Sequence, residues 1–263
     1  MGSATTQALA ATTKALDAAS GIDLDVAGEL FAAAHAVGDS SQLSGALADS
    51  SAPAAARRQV VTAVFGPSVQ PVTASLLTAV VDQRWSSAAD LVDAIEELAV
   101  RAAAVAAPDA DVEEELFRFS RVVAENPELE LALGSRLGDA AAKGALVRTL
   151  LGGRVSGASA LIAASLVQQP RERRVRQLLS RATKVVADQR GRKVATVYAA
   201  APLSAAQIYR LAAALSQRYG TRVSLNTVVD PAVVGGLRVQ IADDVIDASV
   251  SARLADLRQR LAG

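Results

Sequence analysis

Only a few side chains in this sequence are of the types that catalyse reactions, and they do not occur in catalytic combinations. His35 is the single histidine, and cysteine is absent. A Ser–His–Asp or Cys–His site therefore has no second supporting feature. His35 stands among alanines in a segment with helical character, which favours a structural role at or near the surface. We accordingly predict no catalytic residue and no enzymatic activity for this chain.

Phosphate and metal sites have little support either. The Lys143-Gly144 pair has the wrong order for a Walker A loop and falls inside a predicted helix. Gly152-Gly153 follows a helical segment, where two glycines are more typical of a helix end than of a phosphate site. Asp243-Asp244 stands in a predicted turn without further ligands at suitable spacing. We therefore expect no bound metal and no cofactor.

One segment, Arg171-Glu172-Arg173-Arg174, is locally basic. The simplest interpretation is the solvated face of a helix, and a contact to an acidic partner is the alternative. The whole chain is balanced, with 27 basic and 27 acidic residues. Because nucleic-acid-binding domains usually carry a basic excess, this balance argues against a nucleic-acid partner.

Composition predicts a largely helical protein with a sizeable core. Hydrophobic residues make up 51% of the 263 residues and aromatic residues only 3%, and alanine is abundant. Alanine has the highest helix propensity because its side chain loses no rotamer entropy on folding. The first residues lack the charged and apolar regions of a secretory signal, and no run of about 18 apolar residues occurs. We expect no direct membrane insertion.

An internal repeat organises the first 190 residues. When the sequence is shifted by 86 positions, Glu29-Leu30-Phe31 falls on Glu115-Leu116-Phe117 (115 − 29 = 86), and Gly66 falls on Gly152. Further matched pairs are Val37 and Val123, Leu47 and Leu133, Arg57 and Lys143, and Val61 and Val147. This similarity predicts a duplicated helical module.

Helix start and stop signals, mainly proline, glycine and serine, divide each module into helices. In the first module they predict helices at about 4–19, 25–37, 40–47, 53–65, 71–83 and 87–106. The second module continues at about 112–124, 127–134, 139–151, 156–168 and 171–190. Because residues 4–19 map onto about 90–105, the sixth helix of the first module takes the place of the first helix of the second. The modules thus share this helix or stack without a flexible linker.

The pattern changes after Gly191. Alternating apolar residues predict strands at 194–198, 223–229 and 236–241, with helices at about 202–219 and 247–261. The predicted fold is therefore mainly α, with two tandem six-helix-type bundles followed by a small α/β domain. We assign the first module to residues 1–106, the second to 107–190, sharing 87–106 if one helix serves both, and the α/β domain to 191–263.

The α/β domain carries a specific motif, in which two glycines open an apolar strand and an Ile-Asp-x-Ser segment precedes the terminal helix. Its residues are Asp230, Gly235, Gly236, Leu237, Val239, Asp247 and Ser249. This pattern resembles the signature of the delta subunit family of F-type ATP synthases, whose mitochondrial member is the oligomycin-sensitivity-conferring protein. Ala242 departs from it slightly, since the family usually has a smaller turn residue there. The duplicated module departs more, and is similar to the longer form of high-GC actinobacteria.

The resemblance implies a stator subunit that links the catalytic head of the synthase to the membrane sector and resists rotor torque. Implied partners are the N-termini of the alpha subunit and the b subunit of the peripheral stalk. One copy would serve each complex, as a peripheral protein on the cytoplasmic face of the cell membrane. A non-catalytic helical adaptor or scaffold that binds amphipathic helices is the alternative.

The resemblance also implies contact residues by position. The groove for the alpha helix, between the first and fifth helices, would use Leu9, Leu16, Val72, Leu76 and Val80. The contacts to the b subunit would use Leu237, Val239, Ile246 and Leu257. A role of all these residues in the core of the chain is the competing interpretation. Which module takes the alpha helix stays open.

Overall fold

The computed structural model describes residues 2–135, 138–171, 173–241 and 244–250. The chain divides into two compact units, Met1–Val186 and Ala187–Gly263. The division falls close to Gly191, where the sequence pattern changes. The prediction of a mainly helical chain with a small α/β part at its C-terminal end is confirmed.

The first unit is built from helices over the residues that the structure describes, and the last of them ends three residues beyond the boundary at Val186. They are α1 (Ser3–Ala18), α2 (Leu24–Asp39), α3 (Ser41–Ala48), α4 (Ala54–Val64), α5 (Pro71–Val81), α6 (Ala88–Ala106), α7 (Val112–Glu125), α8 (Pro127–Gly134), α9 (Ala140–Leu151), α10 (Gly157–Gln168) and α11 (Val175–Gln189). Short polar side chains cap several of them, as where Asp23 accepts from Val26 N at 2.8 Å. Pro71 and Pro127 stand in first turns, where their missing N–H is not needed.

Helix bounds follow the 86-residue repeat closely. Adding 86 to the bounds of α3 gives 127–134, which are the bounds of α8. Adding 86 to α5 gives 157–167, which lies within α10. Adding 86 to α1 gives 89–104, which lies within α6. We infer that α6 is both the sixth helix of the first module and the first helix of the second.

The position of α6 at the centre of the core agrees with this double role. Four of the 16 residues of α1 are buried, against twelve of the 19 residues of α6. A helix buried on one stripe faces one neighbour group, whereas a helix buried nearly all round lies between two. One continuous hydrophobic core extends from Ala8 in α1 to Val186 in α11.

The second unit is a four-stranded mixed sheet with one helix in its described residues. Its elements are β1 (Arg192–Ala199), α12 (Ala205–Tyr219), β2 (Arg222–Val229), β3 (Leu237–Ile241) and β4 (Asp244–Asp247), in the sheet order β2-β1-β3-β4. β1 pairs parallel with β2 and antiparallel with β3. Ser204 and Gln207 form a reciprocal capping box at the start of α12, and Gly220 ends the helix in the left-handed region at φ 65°.

The fourth strand corrects one prediction. The sequence predicts the terminal helix from about Asp247, but Asp244–Asp247 forms β4, in which Ile246 pairs with Val239. The Asp-x-Ser pattern at Asp247 resembles a helix start, whereas β3 supplies a partner that favours the extended form of this short segment. Val250 is already helical, and residues 251–261 of that predicted helix, including Leu257, lie outside the described residues.

Candidate partner-binding site

The predicted helix-binding groove lies between α1 and α5, which pack against each other. The structure places Leu16, Leu76 and Val80 in the core of the chain, each no more than 2% exposed. Leu9 and Val72 are half-buried and pack against that core. Buried side chains cannot contact a partner directly, so of these five predicted residues only Leu9 and Val72 are accessible to one.

Small side chains stand near Leu9 and Val72 along α1 and α5. Thr6, Ala10 and Ser75 are exposed, and Thr13 and Ala79 are half-buried. The hydroxyl of Thr13 donates to the Leu9 carbonyl within the same helix, at 2.9 Å. Small residues with internally satisfied hydroxyls let a second helix come close without leaving polar groups unpaired. The surface therefore suits a helix that packs by shape.

A carboxylate holds the equivalent helices together in each module. Glu29 in α2 accepts from the backbone N–H of Gln70 at 2.9 Å and from the hydroxyl of Thr73 at the start of α5. Glu115 in α7 accepts from the N–H and hydroxyl of Ser156 and from the hydroxyl of Ser159 at the start of α10. All of these acceptor and donor residues are related by the 86-residue shift. The sequence repeat pairs the two glutamates, but it does not by itself predict their role.

Each module also has a buried basic side chain at the equivalent position. Arg57 is 6% exposed and donates to the Asp49 carbonyl at 2.7 Å, and Lys143 is 8% exposed and donates to the Ser135 carbonyl at 2.9 Å. Both cations satisfy the carbonyl at the C-terminal end of a short helix, where a positive charge is favourable. Their match in the sequence repeat could have indicated this role, because two basic residues at equivalent positions of an otherwise apolar alignment suggest the same contact in both modules.

Two arginines of the basic run before α11, Arg171 and Arg173, form ion pairs within the chain. Arg171 lies 2.7 Å from Asp93 and 2.9 Å from Glu96, and Arg173 lies 2.8 Å from Glu96. Arg181 of α11 lies 3.5 Å from Asp93. Neither Arg171 nor Arg173 stands on a helix, so their interpretation as a solvated helix face is wrong. This charge cluster, defined by these five residues, joins the α10–α11 connection and α11 to α6.

Burial and charge act in opposite directions on Glu96. Burial is the largest single influence and raises its pKa, but hydrogen bonds and positive charge from Arg173 and Arg171 outweigh it, so the pKa lies below the usual 4.5. The carboxylate is therefore ionised in the folded chain. A buried charge of this kind is stable only while its partners are present.

His35 lies in the helical core region rather than in a reactive site. Its Nε2 is 3.1 Å from the Ser165 carbonyl in α10, which fits a donated hydrogen bond. Burial lowers the pKa of His35 below 6.5, and the Ser165 carbonyl, Glu96 and Asp39 raise it without cancelling that effect. The imidazole is thus neutral in the folded chain near neutral pH. A structural role for His35 agrees with these contacts.

His35 should make the helical unit less stable in mild acid. Its pKa is depressed on folding, so the unfolded chain binds the proton first as the pH falls through about 6.5, and unfolding becomes easier. Above that pH the effect is absent. We expect the free energy of unfolding to fall from pH 7.5 to 5.5 and to fall less steeply in His35→Gln. Denaturant titrations followed by Trp85 fluorescence test this, and equal slopes for the two chains would contradict it.

A shallow cavity of about 660 Å³ lies at one end of the sheet in the second unit. Its lining is mostly apolar, with Leu203, Leu211 and Leu237, while Gln207 and Arg210 supply polar groups. Among the predicted b-subunit contacts, Leu237 lines this cavity and is half-buried, Val239 is buried in the sheet core at 4% exposure, and Ile246 is half-buried.

The glycine pair of the signature motif is required by the backbone. Gly235 and Gly236 both have positive φ, 70° and 77°, and a Cβ at Gly236 would lie 2.4 Å from the Ala248 carbonyl oxygen. Val250 N donates to the Gly235 carbonyl at 3.2 Å. The pair thus lets the start of β3 approach the segment that follows β4 closely.

The acidic and hydroxyl residues of the motif stabilise turns. Asp230 accepts from Ala232 N at 2.9 Å, and Asp247 accepts from Ser249 N at 2.9 Å. Hydrogen bonds from the Ser249 hydroxyl and N–H lower the pKa of Asp247. These are local turns in which a carboxylate satisfies backbone N–H groups. Asp230 and Asp247 therefore stabilise the turns that follow β2 and β4.

Within the described ranges, no group of three or more histidine, cysteine or acidic side chains is arranged to hold a metal ion. In the same part of the chain, no helix combines the length and apolar character needed to cross a bilayer.

Sequence comparison relates the chain to one family. The family model described as ATP synthase delta (OSCP) subunit matches residues 98–261, which begin in the middle of α6 and include the second module and nearly all of the second unit. ATP synthase subunit delta of Leifsonia xyli subsp. xyli is 48% identical, over 100% of each chain. The subunit of the same name from Streptomyces avermitilis is 41% identical, over 98% of each chain.

A chain in the solved Toxoplasma gondii mitochondrial ATP synthase hexamer is 24% identical. It covers 64% of the present chain and 97% of its own length, with a TM-score of 0.38. That score is too low for the two folds to be compared in detail. The two bacterial relatives match along their whole length, so the first module is present in them as well.

Proposed function

This chain belongs to the ATP synthase delta (OSCP) subunit family, and on that basis we propose that it clamps the catalytic head of the enzyme to its peripheral stalk through the alpha and b subunits. It is a non-catalytic stator subunit of an F-type ATP synthase. The observation that carries the proposal is the 48% identity with a delta subunit over the entire length of both chains.

The mechanism is mechanical. A rotor that applies torque to the catalytic head would turn the head unless a second connection holds it. Such a connection needs interfaces that dissociate slowly, and these depend on well-packed, preorganised contacts more than on long-range charge. A chain with zero net charge and an extended apolar core offers rigid helical surfaces for this purpose. We propose one copy per complex, peripheral and on the cytoplasmic face of the cell membrane.

For the head, the proposed contact is the N-terminal helix of an alpha subunit in the groove between α1 and α5. Leu9 and Val72 supply its apolar surface. An amphipathic helix that buries its apolar face in a groove of this kind contacts it through residues three and four apart. For the stalk, the proposed contact is the b subunit at the cavity that includes Leu237.

The first contact predicts a specific loss of affinity. We expect a synthetic peptide of the alpha N-terminus to bind the full chain, and Leu9→Arg to weaken binding at least tenfold, or about 1.4 kcal/mol. The arginine would place a charge on the half-buried surface that the peptide covers. Isothermal titration calorimetry measures both affinities.

Leu146→Arg provides the matched control, because Leu146 is also a leucine on a helix and is 42% exposed, but lies on α9. It should bind the peptide like the unmodified chain. Equal weakening by both variants, or none by Leu9→Arg, would remove the α1–α5 groove as the site.

A further inference from the structure

The second module has a groove equivalent to the one between α1 and α5. Under the 86-residue shift α1 corresponds to α6 and α5 corresponds to α10, so the equivalent groove lies between α6 and α10. The residues of that second groove are more buried than their equivalents in the first module. If another part of the chain covers them, the second groove has no room for a partner helix.

Helix α2 of the first module lies along this second groove. The Leu24 side chain comes within 3.1 Å of where a Cβ would stand on Gly157, at the first turn of α10. His35 reaches the Ser165 carbonyl, and Gln169 just after α10 donates to the His35 carbonyl at 3.2 Å. The contacts advance in the same direction along both helices, so α2 follows α10 along its whole length. α2 also packs along α6.

Burial at matched positions shows the difference between the modules. Three positions on α6 are at most 4% exposed, while their equivalents on α1 are exposed or half-buried; the pairs are Val92 and Thr6, Ala99 and Thr13, and Ala103 and Asp17. Ser165 on α10 is 4% exposed, and its equivalent Ala79 on α5 is half-buried. The same helix faces are thus covered in the second module and open in the first.

Release of α2 from the second groove would disrupt the first module. Val26, Leu30 and Val37 of α2 are fully buried, and Glu29 holds α2 to the start of α5. Removing such side chains from the core is unfavourable, because each one would expose its buried apolar surface to water. The helix is therefore a fixed part of the fold and does not exchange readily with a partner.

We propose that the chain has one open helix-binding groove and not two, because the duplication has made the second groove an internal interface filled by α2. This rests on the proposed function, and it assigns the partner helix to the first module, upstream of the residues that the family model matches. Helix α2, which fills the second groove, indicates what kind of helix the equivalent open groove would accept. One face of α2 carries Leu24, Gly28, His35 and Gly38. The open groove therefore fits an amphipathic helix with small residues on its apolar face.

Stoichiometry and tethering test the proposal together. The chain has no cysteine, so Gly38→Cys with Gln169→Cys places two unique thiols where a Cβ on Gly38 would touch the Gln169 side chain. A short bis-maleimide then ties α2 to α10. We expect the alpha N-terminal peptide to bind the full chain with a stoichiometry of one, and the tethered chain to bind it with an affinity unchanged within twofold.

Two equivalent sites, or loss of binding on tethering, would overturn the proposal, because either result requires a partner helix in the second groove. A dimeric chain that binds one peptide per pair would overturn it as well. Absence of binding by every chain would instead reject the proposed alpha contact. In that case amide exchange decides the state of the second groove: exchange of α2 as slow as that of α6 supports a filled groove, and faster exchange of α2 refutes it.

Discussion

Replacing Glu96 with glutamine should lower the free energy of unfolding of the helical unit by about 2–3 kcal/mol. The Glu96 side chain is 9% exposed and accepts from both Arg171 and Arg173. Removing its charge leaves the two partly buried guanidinium groups facing a neutral amide. Asp93 continues to pair with Arg171 at 2.7 Å, which keeps the loss below that of an isolated buried pair.

The single tryptophan makes this measurement specific to the first unit. Trp85 is buried there, and its Nε1 donates to the Val80 carbonyl at 2.9 Å. The three tyrosines, Tyr198, Tyr209 and Tyr219, all belong to the second unit. Urea titration of Glu96→Gln should shift the Trp85 fluorescence transition and leave the near-ultraviolet circular dichroism transition of the tyrosines in place.

An exposed ion pair supplies the control. Arg121 and Glu125 lie 3.0 Å apart with 43% and 63% of their side chains exposed. Glu125→Gln removes the same charge by the same substitution, and an exposed pair contributes less than about 0.5 kcal/mol. If the two variants were equally stable, the charge cluster would not stabilise the attachment of α11.

The dependence of the free energy of unfolding on acidic pH should also show the contribution of the Glu96 carboxylate. The pKa of Glu96 is lower in the folded chain than its usual 4.5, so its contribution is complete above that value and is lost as the pH falls through the folded pKa. Glu96→Gln lacks this dependence. The stability difference between the two chains should accordingly shrink in strong acid.

The sequence is informative wherever structure is local or repeated. Proline and glycine signals predict helix bounds within a few residues, and the 86-residue repeat indicates that α6 corresponds to α1. Both result from short-range rules that hold in each copy. The strand β4 is not predicted from the sequence, because four residues are too few to show an alternating apolar pattern. Its pairing with β3 is a property of the folded sheet.

The candidate site is less predictable for a physical reason. Apolar residues at helical spacing indicate which face is turned inward, but they do not separate a core from a groove. Leu16 and Val80 are thus core, whereas Leu9 remains at the surface. The charge cluster joins residues 77 positions apart, Glu96 and Arg173, and only the packing of α11 on α6 brings them together.

Replacing Gly236 with valine should destabilise the second unit by about 3 kcal/mol and leave the first unit unchanged. Gly236 has φ 77°, a region that costs an L-residue about 1–2 kcal/mol. A Cβ there would lie 2.4 Å from the Ala248 carbonyl oxygen and 2.9 Å from Ser249 Cα. Both neighbours are backbone atoms, so they move only if β3 and the segment after β4 separate, which adds a further packing penalty. The tyrosine transition should shift while the Trp85 transition stays.

Gly191→Ala separates the two causes of this loss. Gly191 also has positive φ, 63°, but a Cβ there meets no atom within 4 Å. It should lose only the conformational part, about 1–2 kcal/mol, so the excess in Gly236→Val measures the close approach of the two segments. If both glycines gave equal losses, the close approach would not explain the motif. Because the proposed clamp uses one contact in each unit, we expect membranes containing Gly236→Val to couple ATP synthesis to the proton gradient less efficiently than those containing Gly191→Ala.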